Sequence, residues 1–338
     1  MTRIKTKIGK TCDITQLKGV TYKDFRGHNI ISEVIGKEFL RAKKKIIKKC
    51  IICGSKNVKL IAKVMRVPFM QCRKCTHVFN RYDYDYDFLK KFWKKKGDVI
   101  NVHSHKGQQS YRPKHLSDPK VDFILKNIKK RKGLNWLDMA CGNGEFLTRV
   151  KRKGIKPYGF DLNENDVKLA RIKKLNVYRK DMTEFTEFAL SKNIKFDIAS
   201  ATGYFDLVND PNYELKTFNK IMKKGGLLMI DLPDFNSVCH EMIRYFPDQS
   251  IRHLHGSQRS SYTLKSLTLL LKNNGYKIIN RWIYGIDFYM IMNVLNIINK
   301  EFYKTNAMKI MTKHFSKFQD IFDKEKSADT LFIVAKKI

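Results

Sequence analysis

Acidic residues are scarce in this 338-residue chain: Asp and Glu together number 32 against 68 Lys and Arg, a formal net charge of +36. Such an imbalance points towards an acidic partner such as nucleic acid, nucleotide or anionic lipid. Lysine outnumbers arginine about three to one and is spread along the whole chain. Arginine is the better residue for forked phosphate contacts, so compositional drift explains the charge equally well. Also missing is an apolar segment behind the charged N-terminus MTRIKTKIGK, which argues against a secretory signal and for a cytoplasmic protein. The most apolar stretch, WIYGIDFYMIMNVLNIIN (282–299), is interrupted by Asp287 and by asparagines. It therefore reads as a core helix or a subunit-pairing helix, which leaves a homodimer open, and no transmembrane segment is expected. No internal repeat or low-complexity tract is present, DYDYD (83–87) being a brief exception. The length suits one good-sized domain and something smaller.

What is present centres on LDMACGNGEF (137–146). Leu134 to Met139 reads as a short buried strand and Glu145 to Lys153 as a helix with Phe146, Leu147 and Val150 on one side. Glycines at 142 and 144 let a ligand lie against the main chain, and the helix start offers unpaired N–H donors. A nucleotide-like cofactor fits such a loop, with a plain tight turn as the alternative. A second strand, YGFDLN (158–163), ends in Asp161, about twenty residues past the glycines, where a carboxylate can accept both hydroxyls of a ribose. A third ends at YRKDMTEF (178–185) with Asp181 and Met182, and FDIASATGYFDLVNDP (196–211) gives a fourth strand and its loop. The dinucleotide fingerprint G-x-G-x-x-G is absent; the loop is D-x-A-C-G-x-G.

These four signals in order resemble the class I S-adenosylmethionine-dependent methyltransferases over about 121 to 338. The resemblance implies that Asp138 and the backbone of Ala140, Cys141, Gly142, Asn143 and Gly144 hold the methionine part of the cofactor. It further implies Asp161 at the ribose, Asp181 with Met182 at the adenine, and Ala201 and Thr202 touching the cofactor from the fourth strand. Asp161 or Asp181 taken singly could be no more than a solvated turn residue.

The cysteines CIIC (50–53) and CRKC (72–75) form two C-x-x-C pairs separated by eighteen residues, while Cys12, Cys141 and Cys239 stand alone. Cys50, Cys53, Cys72 and Cys75 suit a tetrahedral structural Zn²⁺ site, with Gly54 easing the first knuckle's turn and VKLIAKVMRVPFMQ supplying strands. Metal then replaces the core that so short a module lacks. Disulfides or a redox pair are the rival uses, and a reducing compartment disfavours the former. A zinc ribbon followed by YDFLKKFW and then this domain resembles methyltransferases associated with sugar and surface-polysaccharide biosynthesis. A ribosomal-RNA guanine methyltransferase family also carries such a ribbon but uses a histidine ligand, whereas His77 follows a complete four-cysteine set here. The runs RAKKKIIKKC (41–50) and KKFWKKK (90–96), with Phe92 and Trp93, flank the module and could suit a nucleic-acid surface; KNIKKRKG (126–133) is a third such run. Such runs are more often solvated helix faces.

The expected architecture is α/β: a Rossmann-like, seven-stranded methyltransferase sheet with a small N-terminal zinc ribbon. The divisions are a basic segment at 1–49, the ribbon at 50–80, a connecting segment at 81–120 and the methyltransferase domain at 121–338, with a helical insertion at 285–327. GYKIINRWIYG (275–285) and ADTLFIVAKKI (328–338) read as closing strands, the last antiparallel by resemblance. Methyl transfer needs a base only for some acceptors. In GYFDLVNDP, Asp206 stands where relatives carry an acid and Leu207 where histidine is common, so a base there is in doubt. RHLHG resembles the family's histidine segment before a helix, making His255 or His253 the expected base or substrate ligand, or else residues bracing that loop. The expected function is methylation of a small-molecule acceptor: a sugar, nucleotide-sugar or polysaccharide precursor. RNA methylation with the ribbon as docking platform, and a non-catalytic cofactor-binding protein, are the alternatives.

Overall fold

The computed structural model describes residues 4–9, 25–100, 111–129, 132–249, 254 and 256–338. The first strand, β1 (Lys5–Ile8), is followed by helix α1 (Phe25–Arg41) and then by the cysteine module: β2 (Lys44–Ile46), β3 (Val58–Val64), β4 (Val67–Cys72), β5 (Val78–Asn80) and β6 (Tyr82–Tyr84). Helices α2 (Tyr86–Ile100) and α3 (Asp118–Leu125) lead into β7 (Asn135–Met139), α4 (Glu145–Arg152), β8 (Lys156–Asp161), α5 (Glu164–Ile172) and β9 (Asn176–Arg179). Then come α6 (Met182–Ser191), β10 (Phe196–Thr202), α7 (Pro211–Asn219), β11 (Met222–Pro233), α8 (Val238–Tyr245) and β12 (Ser260–Ser261). Helix α9 (Leu264–Asn273), β13 (Tyr276–Ile283), the helices α10 (Asp287–Ile298), α11 (Asn306–Lys313) and α12 (Phe315–Lys324), and β14 (Thr330–Lys337) complete the order.

The large sheet runs β1-β13-β14-β11-β10-β7-β8-β9. Strands β9, β8, β7, β10 and β11 are parallel, and β14 lies antiparallel between β11 and β13. Both faces are covered, so most side chains of β7 and β10 are buried, the polar Asp138 and Ser200 among them. Successive side chains go to opposite faces. Leu137, Met139, Phe160, Ala199 and Ala201 pack on one side, and Trp136, Ile198, Met229, Trp282 and Phe332 on the other. Each large side chain wholly removed from water contributes about 1.5–3 kcal/mol, so these two faces carry most of the domain's stability.

The sheet has eight strands where the sequence predicts seven. β1 pairs in parallel with β13, and all four of its side chains are exposed, so Lys5–Ile8 gives no apolar alternation to read. Its attachment is backbone pairing, helped by Lys7 over the Trp282 ring at 3.3 Å. The stretch read as a basic segment contains α1, whose Ile35 and Phe39 pack with Tyr84, Leu89 and Phe92.

The cysteine module forms a small antiparallel sheet, β12-β5-β4-β3. Met65 and Arg66 sit in the left-handed region at the β3–β4 turn, as a tight hairpin requires. Strand β12 comes from far along the chain, and Cys50, Ile52, Met70 and Phe79 share a core cluster with Leu137 and Phe160. The helices expected between 285 and 327 are α10, α11 and α12. No helix among the described residues is long and apolar enough to cross a membrane.

Candidate active site

The β7–α4 turn is held in left-handed conformations at Ala140, Gly142 and Gly144. A Cβ on Gly144 would lie 2.5 Å from Leu175 Cδ1 and 3.2 Å from Ala170 Cβ of α5, and with the left-handed backbone this close packing favours glycine there. Gly142 instead opens onto free space, with nothing within 4 Å of an added Cβ. Beside it, a cavity of about 890 Å³ crosses the carboxyl ends of β7, β8, β9 and β10. Ala140, Gly142, Asp161, Asp181 and Met182 line one part of it, and Gly203, Tyr204 and Glu214 another. The remaining wall is α2, through Tyr86, Leu89, Lys90 and Trp93.

Two carboxylates stand at the strand ends. Asp161 accepts the Gly142 N–H at 2.9 Å on Oδ2 and the Asn163 N–H at 2.8 Å on Oδ1, so it ties the glycine turn to β8. Burial pushes its carboxyl up, against the pull of those N–H donors. Asp181 caps α6 by accepting the Glu184 N–H at 2.9 Å, and Glu184 accepts the Asp181 N–H in return, a capping box. Its Oδ2 also receives the Tyr86 hydroxyl at 2.7 Å and Lys90 Nζ at 2.8 Å.

Asp138 is buried between β7 and β10, accepts the Ser200 hydroxyl at 2.6 Å, and is pushed by burial up to about 7. Glu214 accepts the Tyr204 hydroxyl at 2.7 Å and is likewise raised by burial to about 7. Asp206 is buried outside the cavity lining, next to Gln258, and burial raises it to about 6.

Of the residues singled out in the sequence, Ala140, Gly142, Asp161, Asp181 and Met182 come together around the cavity. Asp138, Cys141, Asn143, Gly144, Ala201 and Thr202 are not part of its lining. The Cys141 side chain is buried with Leu147 and Val167 behind the turn, while Asn143 holds Lys173 Nζ through its backbone oxygen at 2.8 Å. His253 and His255 lie outside the described residues. Sequence reasoning missed the α2 wall and Glu214. The signal for the former was available: positions 86, 89, 90 and 93 recur at helical spacing on one face.

In the cysteine module the two knuckles meet. Cys50 and Cys75 sulfurs lie 3.5 Å apart, Cys53 and Cys72 sulfurs 3.6 Å apart, and all four fall within 4.8 Å of one another. Tetrahedral Zn–S bonds of about 2.3 Å give sulfur–sulfur edges of about 3.8 Å, close to this arrangement. The close contact with Cys50 draws the Cys75 thiol down despite burial. Gly54 takes the left-handed conformation that turns the first knuckle. His77 is fully buried beside Phe79 and Tyr262 and is not part of the sulfur cluster.

A mostly parallel sheet with a glycine turn after its central strand and acids at the next two strand ends defines a Rossmann-like nucleotide-cofactor fold. Residues 108–280 match the family described as methyltransferase domain, and the chain belongs to that family. Among curated relatives, the ubiquinone biosynthesis O-methyltransferase of Leptothrix cholodnii is 25% identical over 130 residues, covering 36% of this chain and 54% of that protein. The putative methyltransferase YqeM of Bacillus subtilis is 27% identical over 119 residues, covering 34% and 47%. The chain thus spans about half the length of the curated relatives it matches. Magnesium protoporphyrin IX methyltransferase from Synechocystis PCC 6803, solved with bound SAH, superposes with a TM-score of 0.51 at 11% identity, over 75% of this chain and 100% of that one, a likeness of fold.

Proposed function

We propose that this chain transfers a methyl group from S-adenosylmethionine to a small-molecule acceptor, a sugar, nucleotide-sugar or surface-polysaccharide precursor. The observation that carries the small-molecule reading is the cavity, whose roughly 890 Å³ lies within the usual range for small-ligand sites and includes both strand-end acids. The sugar reading rests on the cysteine module preceding the domain, as in the methyltransferases it resembles. In this assignment the 140–144 backbone and Asp138 hold the methionine part of the cofactor, Asp161 the ribose, and Asp181 with Met182 the adenine, with Ala201 and Thr202 near the donor. Asp161 has acceptor capacity to spare: of about four lone-pair positions, its oxygens give one each to the Gly142 and Asn163 N–H groups, with the Leu162 N–H also acting on the carboxylate.

When bound, the cofactor supplies a methyl group on a sulfonium, which is displaced in line. The chain's own residues orient the acceptor against that carbon and exclude water. An acceptor hydroxyl also needs a proton acceptor, and His255 or His253 is assigned that part. Cys50, Cys53, Cys72 and Cys75 are assigned to one structural Zn²⁺, because four sulfurs at these separations suit a tetrahedral ion.

One observation favours a second reading, RNA docking through the module. From Phe39 to Tyr82 there are thirteen Lys and Arg and no Asp or Glu. Native mass spectrometry with S-adenosylmethionine and, separately, nucleotide-sugars and RNA discriminates between them. A methylated nucleotide-sugar and one zinc per chain support the first reading. RNA retained at low salt and lost steeply as salt rises, with no sugar product, replaces it with the second.

A further inference from the structure

Helix α2 is more than a connector between the module and the domain. Tyr86, Leu89, Lys90 and Trp93 share one face, and that face is a wall of the cavity. The helix is also anchored from behind: Leu89 and Phe92 pack with Ile35, Phe39 and Tyr84, and the Tyr84 carbonyl accepts Asn209 Nδ2 at 3.0 Å from the loop that lines the same cavity.

Two α2 side chains converge on Asp181. The Tyr86 hydroxyl and Lys90 Nζ donate to Oδ2 at 2.7 and 2.8 Å, and Lys90 reaches Glu184 Oε1 at 2.6 Å. We propose that Tyr86 and Lys90 are positioning residues for purine recognition, fixing the Asp181 carboxylate so that a single acceptor position faces the exocyclic amine of the cofactor's adenine. This rests on the assignment of Asp181 to adenine made above.

An ionised carboxylate offers about four lone-pair positions and no donor. Oδ2 of Asp181 spends two on α2, and Oδ1 spends one on the Glu184 N–H, leaving one on Oδ1. Burial acts to raise the carboxyl, but Lys90, the Glu184 N–H and Tyr86 outweigh it and hold it below the usual carboxylate range. Ionised and locked, it accepts an amine and repels a carbonyl oxygen, so a 6-oxo purine is disfavoured at that position. A hydrogen bond to a charged group contributes about 1.5–3 kcal/mol, or roughly 10- to 100-fold in affinity.

The test is calorimetric titration of the full chain with S-adenosylhomocysteine and with its 6-oxo (inosine) counterpart. Wild type, Lys90→Met, Tyr86→Phe and Asp181→Asn are compared, and thermal melts confirm folding. The wild type is expected to favour the adenine compound by about tenfold or more, and this ratio is expected to shrink several-fold in Lys90→Met and Tyr86→Phe, which a merely structural tether would not produce. If Asp181→Asn collapses the ratio while both α2 variants keep it, the role of α2 is overturned and the adenine assignment stands. If Asp181→Asn keeps the ratio, the adenine assignment fails and the role of α2 falls with it.

Discussion

The ribose assignment makes a quantitative demand on Asp161. Its Oδ2 holds the Gly142 N–H at 2.9 Å and its Oδ1 the Asn163 N–H at 2.8 Å, and the assignment gives the acceptor capacity left over to a diol. Asp161→Ala removes both acceptors and the tie to the turn. With hydrogen bonds to a charged group at about 1.5–3 kcal/mol each, the loss is at least about 3 kcal/mol, or more than 100-fold in Kd for S-adenosylhomocysteine. Asp161→Asn keeps one oxygen and faces its amide against either an N–H or a hydroxyl, so roughly tenfold is expected. Isothermal titration reads this directly, and thermal stabilisation reads it again. Ligand at 100 times the wild-type Kd stabilises the native state by about 2.7 kcal/mol, which falls to about 0.4 kcal/mol when Kd rises 100-fold. Burial raises the Asp161 carboxyl, so wild-type affinity should begin to fall, as pH is lowered, at a higher pH than an ordinary Asp would give. An alanine variant that binds within threefold of wild type would refute the assignment.

The same geometry predicts other outcomes. Gly144→Ala combines left-handed strain of about 1–2 kcal/mol with overpacking against Leu175 of about 1–3 kcal/mol, whereas Gly142→Ala meets no atom within 4 Å and carries the strain alone; equal losses in urea denaturation would contradict the packing argument. Asp138, raised by burial to about 7, binds its proton more tightly in the folded state than the unfolded one. That contribution is fully present below about pH 4, the unfolded value, and is lost as pH rises through about 7; three pKa units correspond to about 4 kcal/mol. Relative to Asp138→Asn, the wild type should therefore lose stability from pH 5 to pH 8, and parallel stability–pH curves would reject this. Chelation should release one zinc per chain and expose four additional thiols to titration. It should also weaken S-adenosylhomocysteine binding, since the second knuckle leads through β5 and β6 into α2; unchanged thiol counts and affinity would exclude a coupled metal site.

What the sequence made legible was whatever is local. β7, β8 and β10 are largely buried runs closed by glycine or acid, and the C-x-x-C knuckles sit at ligand spacing, so each could be read in a window of about a dozen residues. The eighth strand escaped because its four side chains are exposed and only its backbone is used. The cavity's fourth wall escaped for a different reason. The helical face 86-89-90-93 is visible, but its partners Asp181 and Glu184 lie 95 and 94 residues from Tyr86 and Lys90 respectively, and nothing in either segment names the other. The cysteine module and the large sheet are joined in the fold by contacts between segments far apart in the chain. Asn212 Nδ2 donates to the Ile51 carbonyl inside the first knuckle at 2.9 Å, Thr76 beside the second knuckle meets the Thr263 hydroxyl at 2.6 Å, and β12 adds a strand to the module's sheet. Asn212 and Tyr213 are adjacent, and Tyr213 lines the cavity, so one turn of α7 touches both the cysteine module and the wall of the site. Packing of this kind lets the cysteine module brace the helix and loop that line the cavity, which gives the cysteines a reason to be in the chain that their spacing alone does not disclose.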